Sequence, residues 1–304
     1  MKLSSAAVGH VAMLAFSALV ALSFSFGSLV ASDIAPSVLT LMRFVIAAAT
    51  LLGIAWCLNM RLHVFAHRAW HWLVIGGLMS TYFITMFVSL TLTTALATSA
   101  VFTLTPLMAA GIGWMLNKQR ADMMTTVALV IGAVGALWVI FRADLQKFLS
   151  FEIGAGEAIF FVGAVAHAAV PAVTNKLAPS VKSFDAALGT VLGALVVTGI
   201  YCLPEAFSTS FTTLPAAVWW VAAYLGVVTT AGTFFLLQVA IQRLSPGKVM
   251  AYTYLVHSWV ILHGLLFGAY ESALIYIGVA MTLVALVLLL SNDLRGSALA
   301  HQAR

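Results

Sequence analysis

The sequence predicts an all-α polytopic membrane protein: ten transmembrane helices in two inverted repeats of five. Three observations carry that prediction. First, the 304 residues are 63% hydrophobic and only 8% charged, whereas a soluble domain is about 25% charged. Second, apolar runs near the ~20 residues a bilayer-spanning helix needs recur along the whole chain. They lack the period-two alternation of a membrane strand, so helix is the spanning element. Third, short motifs recur at half-chain distance. Mean hydropathy is +1.09, which also excludes disorder, since disordered chains are polar and charged.

Each span is set off by the charges beside it. Span one (9–31) lies between Lys2 and Asp33, and span two (35–58) between Asp33 and Arg61. Span three (70–90) follows Arg68. An uncharged turn near Thr91 divides it from span four (92–116), which ends at Lys118 and Arg120. Span five (124–141) stops at Arg142. Span six (154–173) begins beyond Asp144, Lys147 and Glu152 and ends before Lys176. Span seven (186–203) runs from Lys182 to Glu205, and span eight (216–238) ends before Arg243. Span nine (249–268) is bracketed by Lys248 and Glu271, and span ten (273–290) by Glu271 and Arg295. What remains is too short for an extramembrane domain of the usual ~100–150 residues.

Basic residues gather on the cytoplasmic side of membrane proteins. With the N-terminus inside, eleven of the 14 Lys and Arg residues face inward, Arg304 included. Only Arg142 and Lys147 face outward, and Arg43 lies within a span. The expectation is a multi-pass protein of a bacterial-type inner membrane with both termini cytoplasmic. This bias accounts for the net charge of +5 without a nucleic-acid partner. The first run is read as a span rather than a cleaved signal, because it exceeds the usual 7–15 residues of a signal core. Cys57 and Cys202 read as buried small residues near opposite faces, without metal spacing.

Ala35-Pro36-Ser37-Val38 follows span one, and Ala178-Pro179-Ser180-Val181 follows span six. Leu73-Val74-Ile75-Gly76-Gly77 in span three is echoed by Ala223-Tyr224-Leu225-Gly226-Val227 in span eight. Five is odd, so a second copy enters the membrane inverted, a plan that places substrate near the midplane between the repeats. The repeats are expected over 1–145 and 146–304.

Pro36-Ser37-Val38-Leu39-Thr40-Leu41-Met42-Arg43-Phe44 resembles the second-helix pattern of the EamA family in the drug/metabolite transporter superfamily. Thr94-Ala95-Leu96-Ala97-Thr98-Ser99-Ala100 running on to Thr105-Pro106-Leu107 resembles its fourth helix. Ala240-Ile241-Gln242-Arg243-Leu244-Ser245-Pro246 into Tyr254-Leu255 resembles the matching segment of its second half. The resemblance covers nearly the whole chain. It implies ten helices in two inverted repeats, alternating access and, most often, export of small metabolites such as amino acids; aromatic-amino-acid exporters belong to this group. Where the family often has Pro in helix nine, this chain has His257.

Ionisable groups inside a bilayer are costly and mark candidate sites. Arg43 can hold a substrate carboxylate through two hydrogen bonds, or it can pair with a helix end or snorkel outward and hold the fold. His167 and His257 are candidates for binding substrate or taking up a coupling proton; neutral packing histidines are the alternative. His10, His63, His67, His71 and His301 are expected to be solvated. Tyr82, Thr98, Tyr252 and Trp259 are candidate cavity residues, although Ser and Thr also serve helix packing. Pro106 and Pro171 stand inside spans, as hinges or static kinks. Gln238 reads as interfacial.

No Asp or Glu falls mid-span, Glu157 coming nearest, which disfavours exchange of protons for cations. The chain also lacks the motifs and carboxylate clusters of a membrane enzyme. A channel would need a charged ring or filter. The expectation is a secondary transporter exporting amino acids or similar zwitterions, with organic anions or nucleobase-like solutes as the alternative. It needs no cofactor and no metal. Its partners are a small-molecule substrate and lipid, as a monomer or homodimer.

Overall fold

The computed structural model describes residues 5–64, 67–118, 122–144, 146, 153–266, 268 and 270–302, with side chains for all of these except 117 and 292–302. Lys2, Arg120, Lys147, Glu152, Arg304 and the expected repeat boundary at 145 lie outside the described residues, as do the side chains of Arg295 and His301. Among the described residues, nine helices are long and apolar enough to cross a membrane, and a shorter apolar helix completes ten. They are Ser5–Val30, Pro36–Cys57, Ala69–Leu92, Ala95–Leu116, Met123–Ile140, Ala155–Leu177, Ser183–Ser208, Ala216–Ile241, Pro246–Leu266 and Ile275–Ser291. Each overlaps its expected run, and no strand occurs among the described residues.

Local chemistry explains where the spans begin and end. Pro36 and Pro246 sit in the first turns of spans two and nine, where a missing N–H costs nothing. Asp122 opens span five by accepting the Thr125 N–H at 2.7 Å. The break between spans three and four falls at Thr93, two residues later than expected. There the Thr94 hydroxyl caps the next helix by accepting the Ala97 N–H at 3.2 Å. Lys118 closes span four in the left-handed conformation, φ 56°.

Two spans are broken. Span four is built from Ala95–Phe102 and Thr105–Asn117, so Pro106 starts a new helix rather than kinking a continuous one. Span nine is built from Pro246–Ala251, a tight turn over Tyr252–Leu255, and Val256–Leu266. These are corresponding members of the two halves. The breaks meet: the Thr105 and Thr253 hydroxyls lie 2.7 Å apart. Pro171, by contrast, lies inside the unbroken span six.

The packing has the symmetry an inverted repeat requires. Span one packs on spans eight and nine, and span six packs on spans three and four. Span two packs on spans seven and eight, while span seven packs on spans two and three. Spans five and ten pack on each other. Exchanging the halves reproduces this list. The duplicated glycine motif explains part of it. A side chain on Gly76 would run into the backbone of Gly193 and Ala194 in span seven. One on Gly226 would meet Ile46 at 2.6 Å and the Arg43 carbonyl at 3.0 Å in span two. Small residues let membrane helices approach this closely.

Polar contacts between helix ends test the alternation of spans. Ser37, opening span two, donates to Glu205, closing span seven. Asp185, opening span seven, accepts the His63 N–H at 3.0 Å just beyond span two. Thr93 donates to Glu157 at 2.8 Å, joining the end of span three to the start of span six. Each bond joins ends that ten alternating spans put on one face.

The outward surface is apolar, with Trp56, Phe207, Trp220 and Val287 all exposed, as a bilayer-facing surface must be. Several expectations are corrected. Cys57 is exposed and Cys202 buried, because Cys57 ends span two at the surface. Gln238 is packed inside the protein. His10 is half-buried and bonded to Tyr252 at 3.0 Å, and the half-buried His71 packs its ring on Trp70.

Candidate substrate site

The middle of the protein is an aromatic wall. Phe16 and Phe24 come from span one, Tyr82 from span three, Phe102 from span four, and Phe160 and His167 from span six. All six are buried. The Tyr82 and His167 ring centres lie 4.5 Å apart, and the Phe102 ring stands 4.9 Å from His167. Phe160 lies 5.7 Å from Tyr82, and Phe24 packs at 5.7 Å on Phe102. Tilted and edge-on pairs at these separations are the favourable ones. Span six places Phe160 and His167 two turns apart on one side. Pro171, one turn beyond, has no N–H for the His167 carbonyl.

Arg43 adjoins this wall. It is fully buried in span two, so it neither snorkels nor reaches a helix end. Its guanidinium sits 3.6 Å from the centre of the Phe83 ring, next in the chain to Tyr82. Such a desolvated cation–π contact is worth about 2 kcal/mol. Nε donates to the Thr230 hydroxyl at 2.8 Å and Nη2 to Thr229 at 3.1 Å. Two adjacent threonines reach one guanidinium because span eight turns π-helical over Val227–Gly232. Such single-turn insertions are frequent at functional sites.

Three buried polar atoms here have no hydrogen-bond partner: Arg43 Nη1, the Tyr82 hydroxyl and His167 Nδ1. Leaving such a group unpaired costs about 1–3 kcal/mol, more when charged. Together they offer a donor cation, a hydroxyl and an imidazole around aromatic faces.

The other candidates fall elsewhere. Thr98 is buried and bonds Ser89 at 2.9 Å and the Thr94 carbonyl at 3.0 Å, a packing arrangement. Tyr252 and Trp259 face span one. The Trp259 indole donates to the Ser17 hydroxyl at 3.2 Å, and Tyr252 meets His10 seven residues earlier in both helices. His257 turns toward span ten, its Nε2 at 3.2 Å from the Thr282 hydroxyl. Among the described residues no ring contact joins it to Tyr82 or His167. Its Nδ1 is also unpartnered. His257→Ala is therefore expected to lower the melting temperature in detergent and leave the substrate KM unchanged, which thermal unfolding and initial exchange rates would check.

Phe16, Phe24, Phe102, Phe160, Thr229 and Thr230 were not among the sequence candidates. Isolated phenylalanines in apolar spans carry no signal. The Thr229-Thr230 pair does carry one: two adjacent hydroxyls inside an apolar run.

A ten-span helical bundle with two broken helices meeting at its centre, beside a buried cation and an aromatic wall, has the build of a polytopic transport protein. Residues 7–141 match the model of the EamA-like transporter family, which falls within the drug/metabolite transporter superfamily. The match spans the first five spans, which are similar to the EamA-like transporters, a family of transporters. One solved crystal structure of a protein is similar over 95% of this chain and 98% of its own, with a TM-score of 0.73 at 16% identity. That likeness is one of fold, and it covers both sets of five spans. No curated protein matches the chain.

Proposed function

We propose that this protein is a secondary transporter that exports small metabolites across a bacterial-type inner membrane, amino acids or similar zwitterions first. The two five-span units alternate access to a central site. The observation that carries the reading is the set of three unpartnered buried atoms, Arg43 Nη1, the Tyr82 hydroxyl and His167 Nδ1, beside an aromatic wall. A substrate carboxylate matches the free guanidinium N–H. An apolar side chain matches Phe102 and Phe160. The protein offers no carboxylate among these residues, which favours a solute bearing an acidic group over a simple cation. The breaks at Thr105 and Thr253 are where the two units flex against each other, with Pro106 and Pro171 as hinges. His167 is the candidate for proton coupling, its imidazole being the titratable group beside the substrate.

The test is counterflow in proteoliposomes loaded with a mixture of amino acids and organic anions. Saturable exchange of apolar amino acids is the expected result. Tyr82→Phe removes one hydroxyl and keeps the ring, so KM is expected to rise about tenfold at unchanged protein yield. Exchange confined to organic anions or nucleobase-like solutes would overturn the amino-acid reading and favour the alternative. Unsaturable flux without counterflow would indicate a channel.

A further inference from the structure

A cavity lies away from the aromatic wall. It holds about 300 Å³ between the ends of spans one, four and nine, on the face opposite the N-terminus. That volume is at the small end of metabolite sites. Its walls are mainly apolar, Phe26, Leu29, Leu96 and Ile261 among them, and its lining includes no Lys or Arg. The polar groups it does include are Ser25, Ser28, Thr94, His263 and Glu271.

Proton counting shows what these groups can still bind. The Thr94 hydroxyl oxygen accepts the Ala97 N–H of its helix cap and keeps its own proton. Ser28 donates its one proton to the Ser25 carbonyl at 2.8 Å. The Ser25 hydroxyl has the Ala21 carbonyl at 3.4 Å and His263 Nδ1 at 3.3 Å. Ser25 therefore either donates to His263 Nδ1 or accepts from it, and in both cases one ring nitrogen of His263 is engaged. What the lining then presents is one anion, the Glu271 carboxylate, with the Ser28 oxygen and the His263 ring beside it, and no Lys or Arg against it. The cavity is therefore the electrostatic opposite of the Arg43 site.

We infer that this cavity is a binding site for an ammonium group carried on a compact apolar body, held by Glu271 and His263. Its use in transport rests on the reading above: a zwitterion would find its ammonium matched at this cavity and its carboxylate matched at Arg43. The ligand chemistry itself does not depend on that reading. An ammonium can arrive on a free amine or on a phosphatidylethanolamine headgroup.

The experiment uses the full-length protein in nanodiscs of phosphatidylcholine and two probes, 2-phenylethylamine and 3-phenylpropionate, followed by equilibrium binding. Phenylethylamine is expected to bind, with its affinity falling about tenfold or more in Glu271→Gln and falling also in His263→Ala. Phenylpropionate binding is expected to be unchanged in Glu271→Gln, which shows that this variant is folded. Adding phosphatidylethanolamine to the nanodiscs separates the sources. Displacement of the amine assigns the site to the lipid headgroup, and undiminished amine binding assigns it to a free amine. Phenylethylamine binding that is absent, or equal in wild type and Glu271→Gln, overturns the inference. Phenylpropionate binding in that case leaves the central site standing. If phenylethylamine binds and phenylpropionate does not, the central reading fails while the outer site survives.

Discussion

Gly193→Val is expected to abolish recovery of monodisperse protein from membranes. The added side chain would drive into the Trp72 carbonyl of span three. A backbone oxygen cannot move aside as a flexible side chain does, so spans three and seven must separate. Overpacking usually costs about 1–3 kcal/mol and sometimes more, and here both sides of the contact are helix backbone. The separation would spread, because Gly76 of span three also lies on span seven. The Ser80 hydroxyl, which reaches the Ala194 carbonyl at 3.1 Å and accepts from Thr198 at 2.8 Å, would lose both partners in span seven and keep only the Gly76 carbonyl of its own helix. Gly193→Ala tests the same contact with one methyl and is expected to lower the melting temperature sharply. Fluorescence-detected size-exclusion chromatography measures both. A wild-type profile for Gly193→Val would show that the two helices do not approach as described.

The fold was largely legible in the sequence because the bilayer imposes few solutions. Apolar length gave ten runs, and flanking charge gave their alternation. Gly76 and Gly226 were visible as a repeat, though the reason for it lies in packing: each sits where one span touches its neighbour's backbone. The breaks in spans four and nine were less legible. Thr103-Leu104 and Tyr252–Leu255 carry no charge and no glycine, and Pro106 by itself reads equally as a kink.

The candidate site was legible only in its ionisable members. Arg43, Tyr82 and His167 were candidates on residue type, and the structure brings them to one aromatic wall. His257 was a candidate on the same grounds and faces Thr282 instead. Within an unbroken apolar run, periodicity does not say which side of a helix faces a neighbour and which faces lipid. The repeat shows why Arg43 stands out. Gly76 packs on Gly193 of span seven, and its counterpart Gly226 packs on Arg43 of span two, so the packing pairs Arg43 with Gly193. Ser80 bonds Ala194 at the first contact and Thr230 bonds Arg43 at the second. The second half thus has a glycine where the first has a buried cation. This asymmetry is not needed for packing, since the glycine half packs tightly without one.

Arg43→Met follows from that asymmetry, and it separates the two roles the sequence left open. A structural role predicts that the variant unfolds. A substrate role predicts that it folds and does not transport. The hydroxyls that Arg43 would leave behind keep their own partners, because Thr229 and Thr230 both donate to the Leu225 carbonyl, at 3.0 and 2.7 Å. Methionine fills much of the same volume against Phe83 and removes a buried charge that has no carboxylate beside it. Replacing buried charge by apolar side chains of similar volume is often neutral or stabilising, by about 1–4 kcal/mol. The melting temperature is therefore expected to hold or rise. Transport of a carboxylate-bearing solute is expected to fall by about a hundredfold or more, since losing a buried charged partner costs roughly 2–5 kcal/mol. Arg43→Lys keeps the charge but not the planar fork, and it is expected to retain measurable exchange at a raised KM. Thermal unfolding and counterflow on the same preparations decide the matter. Unfolded Arg43→Met would make Arg43 a packing residue, and undiminished exchange in a folded Arg43→Met would remove it from the site.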